Sequence, residues 1–336
     1  KLNWKQTRIL LPPEAPKSWE NILTKSSGKA GKEIAVKNLF KGLPLAILKL
    51  AQPVSERSAG VLLSVTSLPS HFGIGDFGPQ AKAFADFLSR GKQKYWQLLP
   101  LTPIERGQHY SPYSSTSSMA GNTLLISPEL LAKDGLFETD ELKRYYLPQT
   151  SNADYIQAEK IKSELFDKAY LNFRRKKIIG LNQDFDEFCE RESGWLDDFV
   201  LYQVLKRENN GAPWYQWPAE YKLRPQEALN KFVDKNAQEL EKERWLQFVF
   251  IKQWNELKSY CNGRNVKLIG DLPFYVSYDS VDVWSNQNIF SLDKEGNMVG
   301  VAGVPPDYFN ENGQLWGMPV FKWDELKKQG YSWWLN

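Results

Sequence analysis

The sequence contains few of the residues that usually build metal, redox and disulfide sites. Its 336 residues include two histidines, His71 and His109, and two cysteines, Cys189 and Cys261. None of these has a partner at zinc-site spacing, and the two cysteines lie far apart in the chain. We therefore expect no metal site and two reduced core thiols, which is typical of a cytoplasmic protein.

Net charge and long apolar runs are also lacking. The 43 basic and 40 acidic side chains leave a formal net charge of +3, which gives no electrostatic footprint for nucleic-acid binding. The longest apolar stretches, such as residues 43–50, are short and interrupted. No segment is long enough to span a bilayer, so we expect neither a nucleic-acid partner nor a membrane partner.

Aromatic side chains are abundant instead. Thirteen Trp, 15 Tyr and 18 Phe make up 14% of the chain, and rings beyond those needed for a core often line ligand sites. Residues 299–320 contain aromatic rings and amides but no lysine or arginine. This composition indicates an uncharged, hydroxyl-rich ligand, because rings stack on sugar faces while carboxylates and amides bind sugar hydroxyls.

Residues 1–52 are predicted to form a small β-rich unit, followed by a linker at residues 53–58. About fifty residues rarely hold a stable core alone, so we expect the end of a domain that begins upstream. The chain also starts at Lys1 and stops within an apolar element, which predicts a piece of a longer polypeptide. The expected strands are at 8–12, 33–36 and 45–50, with a turn at 25–32.

An alternation of strand, helix and strand begins at Ala59. Continuous apolar strands joined by a helix that Pro79 opens and Gly91 closes predict an α/β fold with a parallel sheet. Between the second and third strands, the stretch at about 128–262, about 135 residues long, far exceeds a simple crossover, which indicates a helical subdomain. The predicted strands are 60–65, 95–101 and 266–272, followed by a hairpin of 288–292 with 298–302.

The acid Asp271 lies at the carboxyl end of the third predicted strand. The carboxyl end of a buried strand is where α/β barrels place their ligand-binding groups, so Asp271 is a candidate site residue. It could instead cap the turn before Pro273. Likewise, residues 111–115 could be a plain Ser/Pro turn, and residues 305–317 could form a rigid surface loop.

Six segments carry a resemblance to a known family. In this order and spacing, GVLLSVTSLPSHFGIGDFG, YWQLLPLTP, SPYSS…AGN, IGDLPFYV, SVDVW and VAGVPPDYFNENGQLWG resemble the amylomaltase, or 4-α-glucanotransferase, family over residues 59–336. The resemblance implies the N-terminal part of a (β/α)₈ TIM barrel with a helical insertion after the second strand, and no cofactor. It implies transfer of α-1,4-glucan segments between maltodextrins, with retention. The substrate-binding residues that it implies are Tyr113, Ser115, Asp271, Asp307, Tyr308 and Trp316, with Asn122 as a further candidate.

The catalytic acids of that family are missing from the sequence. The family's nucleophile lies in an Arg-x-Asp-His-Phe motif on the fourth strand, and its acid/base Glu and a third Asp lie on later strands. None of these motifs occurs here, so we expect no catalytic residue in this chain and place the nucleophile and the acid/base beyond Asn336. A non-catalytic α-glucan-binding protein or pseudoenzyme is the alternative, and a hydrolase would share the fold.

A second resemblance concerns residues 1–52. The pattern NWKQTRILLP…SWENILT…LFKGLPLAILK resembles the C-terminal β-domain of α-amylase-type enzymes such as maltooligosyl trehalose synthase. We therefore expect a covalent fusion to an upstream α-glucan enzyme. The expected partners are maltodextrins and starch or glycogen fragments.

Overall fold

The chain divides into two units, residues 1–58 and 59–336, each with its own hydrophobic core. The predicted linker at 53–58 lies outside the described residues except for Arg57 and Ser58. The structure is a computed structural model that describes residues 4, 6–12, 15–16, 18–29, 31–40, 45–51, 57–148, 150–176, 178 and 180–335.

Short antiparallel strands make up the first unit. They are β1 Arg8–Leu10, β2 Ser18–Asn21, β3 Ser27–Lys29, β4 Glu33–Ala35 and β5 Leu48–Ala51. β1 pairs with β4, and β2 pairs with both β3 and β5. The turn predicted at 25–32 is wrong, because β3 occupies its middle and the turn lies at 22–24. Gly28 permits this pairing: a Cβ there would lie 2.7 Å from the buried ring of Trp19.

Parallel strands organise the second unit. β6 Gly60–Leu62 is followed by α1 Pro79–Arg90, β7 Tyr95–Gln97 and, much later, β8 Lys267–Ile269. β7 lies between β6 and β8 and is parallel to both, so the predicted parallel sheet and its first crossover helix are confirmed. Pro79 is the first residue of α1, and Gly91 follows its end.

The strands are buried on one face only, although the sequence predicts fully buried strands. The paired row Val61, Trp96 and Leu268 packs against the helices, with Trp96 0% exposed. The next row, Leu62, Gln97 and Ile269, is exposed. Side chains alternate between the two faces of a strand, and no described residue covers this second face.

Helices fill the chain between the second and third parallel strands. They are α2 Pro128–Lys133, α3 Thr139–Leu142, α4 Tyr155–Lys176, α5 Leu181–Glu208, α6 Ala219–Lys222, α7 Gln226–Lys235 and α8 Ala237–Gly263. The two apolar stretches at 185–192 and 195–206 belong to the single helix α5. Within the described part of the chain, no helix is both long and apolar enough to cross a membrane.

The segment after β8 differs from the predicted hairpin. Its elements are α9 Val281–Ser285, β9 Val301–Val304, β10 Gln314–Pro319, α10 Trp323–Lys328 and α11 Ser332–Leu335. A single bridge joins Leu292 to Met298, and the antiparallel ribbon is formed by β9 and β10 instead. The predicted hairpin stops because Phe290 is buried and bridges Phe321, with ring centroids 4.8 Å apart.

Short 3₁₀ segments complete the described structure. They are Val36–Asn38, Val65–Ser67, Arg106–Gln108, Thr123–Leu125, Lys143–Tyr145, Trp214–Gln216 and Gln287–Ile289. The strands that the structure describes form an open arrangement and no closed barrel. The architecture is mixed α/β, with the large helical segment joining neighbouring parallel strands.

Candidate functional site

Three long loops leave the sheet at the same edge. Because β6, β7 and β8 are parallel, their carboxyl ends lie side by side, which is the edge where α/β proteins bind ligands. The loop after β7 carries Tyr113 and Ser115, and the loop after β8 begins with Asp271. Topology alone therefore places these predicted residues on neighbouring loops.

A hydrogen bond joins Tyr113 to Asp271 across the two loops. The Tyr113 hydroxyl donates to Oδ2 of Asp271 at 2.8 Å. This bond, together with partial burial, raises the pKa of Tyr113, so the phenol stays protonated as the donor. Tyr113 is 47% exposed and Asp271 is exposed. The pair thus offers a ring face, a hydroxyl and a free carboxylate oxygen to a ligand.

Ser115 and Asn122 lie in the same loop but are buried. The Ser115 hydroxyl donates to the carbonyl of Ser117 at 2.8 Å and accepts from its N–H. The Asn122 side chain accepts from the N–H of Leu124 at 3.0 Å. Both side chains shape the loop from within, so a ligand role for either stays a prediction.

The loop between β9 and β10 presents two aromatic rings. Asp307 accepts hydrogen bonds from the N–H groups of Phe309 and Asn310 at 2.9 and 2.8 Å, which closes a tight turn. Tyr308 and Phe309 are 96% and 90% exposed, with their rings edge to face. Gly313 ends the turn at a φ of +68°, where a Cβ would lie 2.6 Å from the carbonyl oxygen of Val304.

Trp316 connects this ribbon to the loop after β8. Its indole donates to the Gln314 side chain at 3.0 Å, and its ring contacts Tyr275 edge to face, with centroids 5.6 Å apart. Tyr275 belongs to the loop that Asp271 begins. Two predicted residues, Asp271 and Trp316, are therefore attached to one loop, and Tyr275 is a participant that the sequence did not single out.

A partly buried ionic network joins the loops to the helices. Lys206 of α5 donates to Asp279 at 2.7 Å and to Glu105 at 2.9 Å. Burial opposes the charge on Lys206, but the two carboxylates outweigh it and raise its pKa. Asp279 also accepts from the Tyr202 hydroxyl and from the N–H of Trp214. The helical segment thus holds both the loop after β7 and the loop after β8.

A buried acid, Asp282, lies in α9. Its two oxygens accept from the N–H and the hydroxyl of Ser118 at 2.8 and 2.7 Å. Burial raises the pKa of Asp282 to about 6, against the effect of these bonds. The stretch SYDSVDVW, residues 277–284, would have drawn attention to both acids through its mixture of carboxylates and apolar residues.

Among the described side chains, no group of three His, Cys, Asp or Glu residues could hold a metal ion. His71 stacks on Tyr146 with ring centroids 4.2 Å apart. The parallel sheet thus has an exposed Tyr–Asp pair at its carboxyl edge, which is the edge where α/β proteins bind ligands.

The chain belongs to the 4-alpha-glucanotransferase family, glycoside hydrolase family 77, whose model it matches over residues 63–336. It is 44% identical over 280 residues to the 4-alpha-glucanotransferase of Aquifex aeolicus and 43% identical over 284 residues to that of Synechocystis sp.. These stretches are 83% and 84% of this chain.

Solved structures agree with the family. An amylomaltase from Streptococcus agalactiae, in complex with acarbose, is 37% identical and superposes with a TM-score of 0.77 over 83% of this chain. The chain spans about half the length of the curated relatives it matches, 56% of each of the two named above, and also 56% of the S. agalactiae chain. An amylomaltase from Corynebacterium glutamicum, with 18% identity and a TM-score of 0.60 over 82% of this chain and 38% of its own, shares the fold.

Proposed function

We propose that the full-length protein is a 4-α-glucanotransferase that moves α-1,4-glucan segments between maltodextrins. The family match over residues 63–336 carries this proposal. The pair of Tyr113 and Asp271 supports it, because an exposed ring and carboxylate at the carboxyl edge of parallel strands suit a sugar. The described sheet is then the first part of a (β/α)₈ barrel, and α2–α8 form an insertion after its second strand.

The reaction would proceed with retention through a glycosyl-enzyme intermediate. A carboxylate attacks the anomeric carbon while a second carboxyl group protonates the leaving sugar oxygen. The second group then removes the proton of an acceptor sugar hydroxyl, which replaces the enzyme carboxylate at the same carbon. Tyr113, Ser115, Asp271, Asp307, Tyr308 and Trp316 would bind substrate, and the exposed rings after β9 would exclude water.

The two catalytic carboxylates would lie outside this chain, since no Arg-x-Asp-His-Phe motif occurs in it. The 336-residue chain alone should therefore release no glucose from maltotriose, whereas the full-length protein should. Glucose release by the purified 336-residue chain would overturn this part of the proposal.

A non-catalytic α-glucan-binding protein is the second candidate, favoured by the same missing motif. The coding sequence beyond Asn336 separates the two. An Arg-x-Asp-His-Phe strand supports the transferase, while a stop codon or a replaced aspartate supports the binder. A hydrolase would use water as acceptor, and product analysis with maltotriose would show glucose and maltose without longer glucans.

The Tyr113–Asp271 pair is tested by Tyr113→Phe in the full-length protein. Loss of one hydrogen bond of about 1–1.5 kcal/mol should weaken maltotetraose binding about tenfold, measured by titration calorimetry. Tyr260→Phe is the matched control, because it removes a Tyr–carboxylate bond of the same 2.8 Å length to Asp86 between α1 and α8. Equal affinities of the Tyr113 variant and wild type would remove the pair from the site.

Residues 1–52 would be the tail of an upstream α-glucan enzyme joined covalently to the transferase. The antiparallel sheets of this unit support a β-rich domain end, and the family match begins after it, at residue 63. Such a fusion would place two activities on maltodextrins, starch or glycogen fragments in one polypeptide.

A further inference from the structure

The Tyr113–Asp271 pair depends on two long loops keeping a fixed relative position. Its members lie 158 residues apart in sequence, and both are on the exposed side of the sheet edge. A substrate-binding pair works only when its geometry is held in advance, because each freely moving loop residue costs ordering entropy on binding. Some other contact must therefore hold the loops.

Asp282 provides such a contact. Its carboxylate receives both hydrogen bonds that Ser118 can donate, from the main chain and from the side chain. One residue earlier, the N–H of Val281 donates to the carbonyl of Thr116 at 2.8 Å. Three bonds thus fasten the stretch just after Tyr113 to the start of α9.

Stability does not explain a carboxylate at this place. Asp282 is 4% exposed, and no described lysine or arginine forms an ion pair with it. A buried carboxylate without a cation destabilises a fold relative to a neutral side chain of the same shape. The two hydrogen bonds from Ser118 offset part of this cost, and they define what the side chain does in the structure.

We propose that Asp282 is a positioning residue that holds the Tyr113 loop against the Asp271 loop in the geometry that binds glucan. It touches no substrate and acts through Ser118. The expected effect on glucan affinity rests on the proposed function, whereas the contact that holds the two loops together does not. Lys206 of α5 stabilises the same arrangement, since it bonds both Glu105 of the loop after β7 and Asp279 of the loop after β8.

Three variants of the full-length protein separate charge from geometry. Asp282→Asn keeps one acceptor for the Ser118 N–H and supplies a donor to its hydroxyl, so both bonds persist. Asp282→Ala removes both bonds. Ser118→Ala removes the hydroxyl bond alone and takes the place of Asp282→Ala if that variant fails to fold. We expect maltotetraose affinity to fall about tenfold in Asp282→Ala, less in Ser118→Ala, and to stay within about twofold of wild type in Asp282→Asn.

A thermodynamic cycle distinguishes positioning from general destabilisation. In wild type, Tyr113→Phe should weaken maltotetraose binding, whereas in the Asp282→Ala background it should have less than about a twofold further effect, because the pair is already separated. Leu131→Ala, which opens the buried core in α2 and removes none of the bonds between residues 116–118 and α9, is the control for lost stability. In the Leu131→Ala background, Tyr113→Phe should weaken maltotetraose binding as much as it does in wild type.

Hydrogen exchange without sugar tests the contact independently of function. Amides of residues 111–118 and 270–275 should exchange faster in Asp282→Ala than in wild type or Leu131→Ala. If wild type fails to bind maltotetraose, the proposed function is wrong, and the exchange result alone decides whether Asp282 holds the loops. Unchanged exchange, or an undiminished Tyr113→Phe effect in Asp282→Ala, would overturn the proposal.

Discussion

Two acids that follow β8, Asp271 in the loop and Asp282 in α9, lie in opposite surroundings. Asp271 is exposed and accepts a bond from Tyr113, whereas Asp282 is 4% exposed and accepts two from Ser118. An exposed carboxylate can exchange its partner for a sugar hydroxyl at little cost, while a buried one cannot. The first is therefore suited to binding, and the second to holding the loop in place.

At the residue scale, we predict that Asp282→Asn makes the fold more stable at neutral pH. The pKa of Asp282 is about 6 in the folded protein and 3.8 ordinarily, so the folded state binds more protons between these values. The free energy of unfolding therefore falls as pH rises from about 4 to 6, by up to about 3 kcal/mol. The neutral amide should restore about 1–3 kcal/mol near pH 7 and change little near pH 4, measured by urea denaturation.

The matched control is Asp293→Asn, at an exposed carboxylate. Hydrogen bonds from Asn297 lower the pKa of Asp293, so its charge favours the folded state above its ordinary pKa, and that contribution is lost as pH falls. The same substitution there should not raise stability at neutral pH. Equal responses of both variants would contradict the assignment of the cost to burial of Asp282.

At the scale of elements, Lys162 joins α4 to two loops of the sheet edge. It is 0% exposed, and its ammonium donates to Asp76 at 2.9 Å and to the carbonyls of Leu124 and Ile126 at 2.7 and 2.9 Å. Burial lowers the pKa of Lys162, while the Asp76 charge opposes this shift. Every donor of this ammonium therefore has a partner.

Lys162→Met should lower the free energy of unfolding by about 3–5 kcal/mol, because it leaves a buried carboxylate without its cation. Lys160→Met, on the exposed side of the same helix, should stay within about 0.5 kcal/mol of wild type. The double variant Lys162→Met with Asp76→Asn should recover part of the loss. Equal denaturation midpoints for the two single variants would show that the ion pair is not structural.

The ribbon of β9 and β10 carries a second element-scale prediction. Trp316 rests on Tyr275, and the adjacent loop tip exposes Tyr308. In the full-length protein, Trp316→Ala should admit water and raise the share of hydrolysis over transfer severalfold, measured from glucose and longer products of maltotriose. Leu315→Ala, at a 78% exposed neighbour, is the control. An unchanged product ratio in Trp316→Ala would remove the idea of a lid.

At the scale of the whole molecule, every candidate site residue belongs to residues 59–336. The unit of residues 1–58 has a separate small core around Trp19, Ile34 and Leu39. Deleting residues 1–58 from the full-length protein should therefore leave maltotetraose affinity within about twofold, measured by calorimetry. A larger loss would show that the first unit contributes to glucan binding.

The parallel sheet indicates which further structural elements the full-length protein needs. The row Leu62, Gln97 and Ile269 is exposed on one face, and strand edges with free backbone groups favour pairing with further strands. Proposed barrel strands beyond this chain would cover the exposed face and pair with the strand edges. The helices on the other face bury Trp96 completely, so that face is already covered.

Local patterns in the sequence were enough to predict part of this protein. Apolar runs located the parallel strands, and Pro79 and Gly91 located the first helix, because strand and helix patterns depend on near neighbours. Motif order indicated the family, which the family match confirms; the sugar site indicated by the composition of residues 299–320 and by the place of Asp271 stays a prediction. The three parallel strands are shorter than predicted. The hairpin predicted at 288–302 was wrong because Phe290 pairs with Phe321, 31 residues ahead.

Only the tertiary structure decided which side chains meet. Tyr113 and Asp271 are 158 residues apart, and Ser118 and Asp282 are 164 apart, with α2–α8 between them. No local pattern encodes such contacts, because they depend on how those helices return the chain to the strand beside β7. For the same reason, the sequence could not show that Ser115 is buried, that Asp282 is buried with no described lysine or arginine paired to it, or that Lys206 lies between two loops.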